Sequence, residues 1–173
     1  MIILIDRSKP LDPNFIAQVG TVVENETDTR STALTQVNVS NIRLVSVLGP
    51  DEPYIAVEEW HARVKKHYIC LDVHILQTLL LSENQSPIPQ RWELMNSRGE
   101  LMSPPRELMN NRHVPFIRFD GTVLQSGIRR STPCTYWSGA IWCWNFQSFE
   151  GICDGSTLSA VLDIPRFSTS SVS

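Results

Sequence analysis

His67, Cys70, Asp72 and His74 fall within one short stretch of the chain, and each is a residue type that ligates zinc or moves protons. The pattern His67-x-x-Cys70-x-x-x-His74 would bring three ligands to one ion if the backbone folded back between them. That gives one functional reading, a small metal-dependent enzyme built on this neighbourhood. Two histidines that share zinc from one helix stand at i and i+4, a spacing that His67 and His74 do not have. The expected role of the four is therefore structural, with no metal or cofactor assigned and no residue named as catalytic. His61 and His113 are single histidines elsewhere. Glu58-Glu59 precede Arg63, Lys65 and Lys66 and read as the solvated face of a helix, not as an acid–base pair. Neither a glycine-rich phosphate cradle nor an HExxH or nucleophile-elbow motif occurs.

The second candidate set is aromatic. Between Phe116 and Phe149 stand Tyr136, Trp137, Trp142 and Trp144, with Arg118 and Arg130 in the same segment. Exposed rings beside cations would stack on single-stranded nucleic acid or on sugars. The formal net charge of −3 speaks against nucleic acid, whose binders carry a basic balance. The competing expectation is that the tryptophans form the core of a small sheet packed on a helix.

Either set needs a scaffold. With 173 residues, 42% of them hydrophobic and 19% charged, the chain can bury one substantial core and is neither disordered nor membrane-spanning by composition. Cys70, Cys134, Cys143 and Cys153 form no CxxC pair, and the opening MIILI is too short for a signal-peptide core before Asp6 and Arg7. Reduced thiols in a cytoplasmic protein are the expectation. On the same grounds the sequons at Asn25 and Asn38 count as composition only.

Residues 2–5 and 20–24 read as strands, 25–32 as a polar loop, and 33–48 as a strand bent near Ser40-Asn41. Two central helices are expected at about 57–67 and 72–84. Trp60, Val64 and His67 stripe the first, while Ile75, Leu76, Leu79 and Leu80 stripe the second behind an Asp72 N-cap. Tyr68 to Leu71 is a short strand or link. Glu-Leu-Met recurs at 93, 100 and 107, but Gly99 and Pro104-Pro105 forbid one continuous helix. Residues 91–111 thus read as a duplicated surface loop, or more sharply as a soft docking surface of Met95, Met102 and Met109. Asp120-Gly121 between apolar runs predicts a hairpin, and Ser138-Gly139 predicts another. Leu158 to Ile164 reads as a final edge strand. The expected fold is one α+β domain over 1–167: N-terminal strands, two central helices and a C-terminal antiparallel sheet of hairpins at about 114–164. Residues 168–173 form a tail.

Outside the 91–111 repeat, the chain resembles a group of uncharacterised small bacterial proteins from candidate-phyla genomes. The likeness is carried by Asp6 to Pro10, Ala33 to Val37, the Tyr-Ile-x-Leu-Asp of Tyr68 to Asp72, and Leu76 to Leu79. It continues through the Ile-Pro-x-x-Trp of Ile88 to Trp92, the Phe-Asp-Gly-Thr-Val-Leu of Phe119 to Leu124, the Tyr-Trp and Trp-x-Trp steps at 136–144, and the Ser-Ala-Val-Leu of Ser159 to Leu162. The repeat and the stretch from Ser126 to Cys134 depart from the group's pattern. The resemblance implies no activity. The functional expectation is a non-enzymatic binding or interaction module with a protein as the compatible partner. It is not expected to have a membrane role.

Overall fold

The computed structural model describes residues 2–13, 23–84, 95–96, 116–137 and 142–164. Among these the chain forms β1 (Ile2–Leu4), β2 (Val23–Thr27), α1 (Thr29–Thr32), β3 (Gln36–Asn38), a 3-10 turn (Val39–Asn41), β4 (Arg43–Val45) and β5 (Tyr54–Ala56). There follow α2 (Val57–His67), β6 (Tyr68–Cys70), α3 (Val73–Asn84) and β7 (Met95–Asn96). The C-terminal part adds β8 (Phe116–Arg118), β9 (Thr122–Ser126), β10 (Arg129–Trp137), β11 (Trp142–Ser148), β12 (Ile152–Asp154) and β13 (Thr157–Asp163). Helices and strands both occur in quantity, and the class is α+β. No helix among the described residues is long and apolar enough to cross a membrane.

One mixed sheet of nine strands dominates, in the order β2-β9-β10-β8-β13-β4-β7, with β11 on β10 and β6 on β13. Opposed residues share a face, so the register sorts the side chains into two layers. Ile117, Leu124, Thr135, Trp144, Phe146, Leu158 and Ala160 fall on one face. There Ile117, Phe119 and Ala160 meet Leu71, the Ile75, Leu76 and Leu79 side of α3 and the inner residues Ile3 and Val37 of the β1–β3 pair. Trp144 packs against this core, and both Trp144 and Phe146 pack against Val73 and Leu124. On the opposite face lie Arg118, Arg130, Thr132, Cys134, Tyr136, Asn145, Gln147 and Ser159. Its cover is Trp60 and Val64 of α2 with Ile55 and Cys153 of the β5–β12 pair.

The two helices stand where their stripes place them, at Val57–His67 and Val73–Asn84. Asp72 caps α3 as its position predicts: Oδ1 accepts from His74 N at 2.9 Å and Ile75 N at 3.2 Å. In α2 the buried side is Trp60, His61 and Val64, whereas His67 is exposed. The bend at 39–41 is real, with Asn38 accepting from Ser40 N at 3.2 Å.

Four expectations need correction. Residues 25–32 are not a loop but the end of β2 and the short helix α1, whose Asp28 cap accepts from Arg30 N. The sheet is not purely antiparallel, because β13 runs parallel to β8 and β7 parallel to β4. Strand β13 is no edge: it lies between β8 and β4 and also pairs with β6. Its polar Thr157 and Ser159 are buried and only resemble a solvent-facing alternation.

Asp120-Gly121 is not a hairpin turn either. Strands β8 and β9 both run antiparallel to β10, so the chain keeps its direction through Phe119–Gly121. The register jumps from Cys134↔Arg118 to Ser131↔Leu124, which leaves those residues bulged out of the ladder. Gly121 is required by contact, not by a positive φ. A Cβ there would lie 2.6 Å from the Leu71 carbonyl carbon and also overlap the Cys70 carbonyl oxygen. The reversal comes later, between Ser126 and Arg129, where Gly127 has φ of 60°. The second expected hairpin pairs as β10 with β11, from Ser131↔Ser148 to Trp137↔Trp142. Its turn, most of the 91–111 repeat and the 168–173 tail lie outside the described residues.

Candidate functional site

The bulge at Phe119–Gly121 carries a carboxylate into the interior. Asp120 is buried, and so is Arg118, at 0% exposure. The guanidinium grips Asp120 through Nη2 at 2.6 Å and Nε at 3.1 Å, while Nη1 donates to Gln147 Oε1 at 2.6 Å. Ser159 Oγ donates to Asp120 Oδ2 at 2.5 Å and accepts from Trp60 Nε1 at 2.8 Å. Burial pushes the Asp120 carboxyl up, but the Arg118 charge and the His61 and Arg118 hydrogen bonds outweigh it and hold Asp120 below the usual carboxylate range. It is therefore a carboxylate, and a carboxylate only accepts.

In the neutral ring this fixes the tautomer of His61. Its Nδ1 stands 3.2 Å from Asp120 Oδ1, so Nδ1 carries the proton and donates. The other nitrogen, Nε2, is buried and has no hydrogen-bond partner among the described residues. The imidazole meets the Phe149 ring edge-on at 5.2 Å between centroids, and Arg130 lies over Phe149 at 4.5 Å. Around it runs a chain of ion pairs: half-buried Lys65 with Glu26, and half-buried Arg130 with Glu26 at 3.8 Å and with the exposed Glu58 at 3.3 Å. A carboxylate that orients an imidazole whose second nitrogen is unspent is the arrangement a proton-accepting or hydrogen-bonding site requires.

The thiols near this cluster are inert by environment. Burial pushes Cys153 up to about 11 and Cys134 up to about 12, and Cys70 is pushed higher still by burial and the charges of Asp120 and Asp28. All four cysteines are present as thiols.

The residues singled out from the sequence separate into two layers. Arg118, Arg130 and Tyr136 share one face, whereas Trp144 lies on the other, half-buried against the α3 core. Arg118 is an interior charge and offers no surface to a ligand. Tyr136 is half-buried, its ring 5.7 Å from that of Phe116, which is 37% exposed. For Trp137 and Trp142 the strand register alone is described.

The structure does not gather His67, Cys70, Asp72 and His74 into one ligand set. Among the described residues no group of three or more His, Cys, Asp or Glu side chains could hold a metal ion. Asp72 is committed to the α3 cap, to Ser31 Oγ at 2.7 Å and to Arg7 Nη2 at 2.8 Å. Cys70 is fully buried, while His67 is exposed and rests edge-on against Tyr68. Sequence reasoning missed the pair His61–Asp120, which is 59 residues apart. The available signal was Arg118-x-Asp120, two charges on one side of an otherwise apolar strand.

No family model matches the chain, and neither a curated protein nor a solved structure matches it.

Proposed function

We propose that the protein is a non-enzymatic binding module that holds a protein partner at the open end of the polar sheet face. The observation that carries this reading is the Phe116–Tyr136 ring pair, 5.7 Å apart and tilted by 44°, on adjacent strands at the outer end of that face. A few residues inward the same face becomes the Arg118–Gln147–Asp120 network, which fixes the strands beneath the rings. Aromatic residues on a rigid support lose little side-chain entropy on binding, and that is why they anchor protein interfaces. Cys143 and Asn145, half-buried and opposite Tyr136 and Cys134, extend the patch.

The test is selection of peptides from a displayed random library on the immobilised protein. Selected peptides are expected to lose about tenfold or more in affinity on Tyr136→Ala or Phe116→Ala, the range of an interface anchor. Equal binding to Tyr136→Ala would sink the reading.

A further inference from the structure

One flank of the large sheet is closed by a piece of the heptapeptide repeat. Strand β7 (Met95–Asn96) lies parallel to β4, with Arg43 opposite Met95 and Leu44 opposite Asn96, and it ends the strand order beyond β4. Glu93, Leu94, Met95 and Asn96 recur unchanged as Glu107, Leu108, Met109 and Asn110, fourteen residues later. The copy between them, at 100–103, has Ser103 in place of the asparagine and Pro104 directly after it. Proline lacks a backbone amide, so that copy offers one ladder donor fewer. The third copy is the closer match to the first. Residues 107–110 lie outside the described residues.

A strand added to a sheet edge is held through its main chain, and its alternate side chains select the sequence. Two segments of identical sequence therefore suit the β4 edge equally well. The β4–β7 pairing spans two residues, so exchanging one segment for the other breaks few ladder bonds and remakes the same ones. The connection to β8 permits the exchange. Strands β7 and β8 are separated by β4 and β13, which makes three strand spacings, or about 14 Å. Phe116 is level with Thr157, while Asn96, through Leu44, is level with Ala160. That offset adds about 10 Å along the strands. With Asn110 in the place of Asn96, the six residue steps to Phe116 must cross about 17 Å and can span about 20 Å. The first copy has twenty steps for the same distance. We infer that the outer edge of β4 is a strand-accepting site that residues 93–96 and residues 107–110 occupy in exchange. The slot stands apart from the Phe116–Tyr136 surface, because β13 lies between β4 and β8.

The test is amide hydrogen exchange of β4 (Arg43–Val45) in the full chain, read by NMR. Both paired residues of a copy are changed to proline, so that whichever amide faces β4 is lost. Met95→Pro with Asn96→Pro, and separately Met109→Pro with Asn110→Pro, should each leave β4 protection within about threefold of the parent, since two equal occupants each hold about half of the site. All four changes together should lower that protection about tenfold or more. In the first-copy variant, backbone NOEs should join Met109 and Asn110 to Arg43 and Leu44, and they should persist on dilution. Three outcomes would overturn the inference. One is a loss of protection in the first-copy variant as full as with all four changes; another is unchanged protection with all four. The third is NOEs that fade on dilution, which would place the strand of a second molecule on the edge.

Discussion

Two buried aspartates lie on neighbouring segments of this protein and are used in opposite ways. Asp72 precedes α3 and spends both oxygens on the fold: two backbone amides of the helix, the Ser31 hydroxyl and the Arg7 guanidinium. Asp120 also has every contact supplied from within, by Arg118, Ser159 and His61. The difference lies in what the partners still have to give. The Ser31 hydroxyl is spent on Asp72, whereas His61 passes on an oriented imidazole with Nε2 unused. The Arg7 guanidinium on Asp72 also leaves its Nε without a hydrogen-bond partner among the described residues, so the contrast is one of chemistry: a guanidinium nitrogen only donates, whereas a neutral imidazole nitrogen can accept.

Substitutions can break or sharpen that contrast. The largest effect is expected from Asp120→Ala, which strands Arg118 in the interior and should cost about 3–5 kcal/mol in urea unfolding. A loss under about 1 kcal/mol would mean that the Arg118 charge is not held as described. Gly121→Ala follows at roughly 3 kcal/mol, because its methyl meets the fixed backbone of Cys70 and Leu71 and not a movable side chain. Asp72→Ala should cost about 2 kcal/mol, an N-cap plus a charge-assisted bond to a partly exposed arginine. Finding it as costly as Asp120→Ala would erase the distinction between the two carboxylates.

Acid sharpens the comparison further. Burial raises Asp120, but Arg118 and His61 hold it below the usual carboxylate range, and Asp28 is lowered likewise by Arg30 and the Cys70 amide against its own burial. A group whose folded pKa is depressed adds stability that is complete above its unfolded value, near ~4, and drains away as the pH falls through the folded value. Unfolding monitored by circular dichroism should therefore show falling stability below about pH 4, with a flatter slope in Asp120→Asn. The smallest effect belongs to Thr132→Val, within about 0.5 kcal/mol, since its hydroxyl has no hydrogen-bond partner among the described residues. A larger penalty would show that this hydroxyl is tied into the fold after all.

The parts legible in the sequence were those with local causes. Helix α3 announced itself through a leucine stripe and a carboxylate one residue ahead of it, and α2 through Trp60 and Val64. What failed depended on distant partners. Asp120-Gly121 carries the composition of a turn, yet its glycine answers a backbone that arrives from Cys70 and Leu71. Thr157 and Ser159 look like the wet side of an edge strand until their partners are seen: buried Ser159 donates to Asp120, and buried Thr157 accepts from the Asp154 amide. The three-residue strands β5 and β12 hold too few residues to show a period at all. The candidate site was the least readable, because one histidine and one aspartate from separate elements make it and neither stands in a motif.

The crossing at Gly121 reaches beyond packing. Its amide donates to Leu71 O at 2.9 Å, its carbonyl accepts from Asp28 N at 2.8 Å, and the Thr122 hydroxyl accepts from Val73 N at 3.1 Å. Three stretches far apart in the chain are thus laced through two adjacent residues, Gly121 and Thr122, and none can swing out while the others stay. Opening there must be global, so the Gly121 amide should be among the last to exchange its hydrogen with solvent, at a rate that reports the stability of the whole molecule.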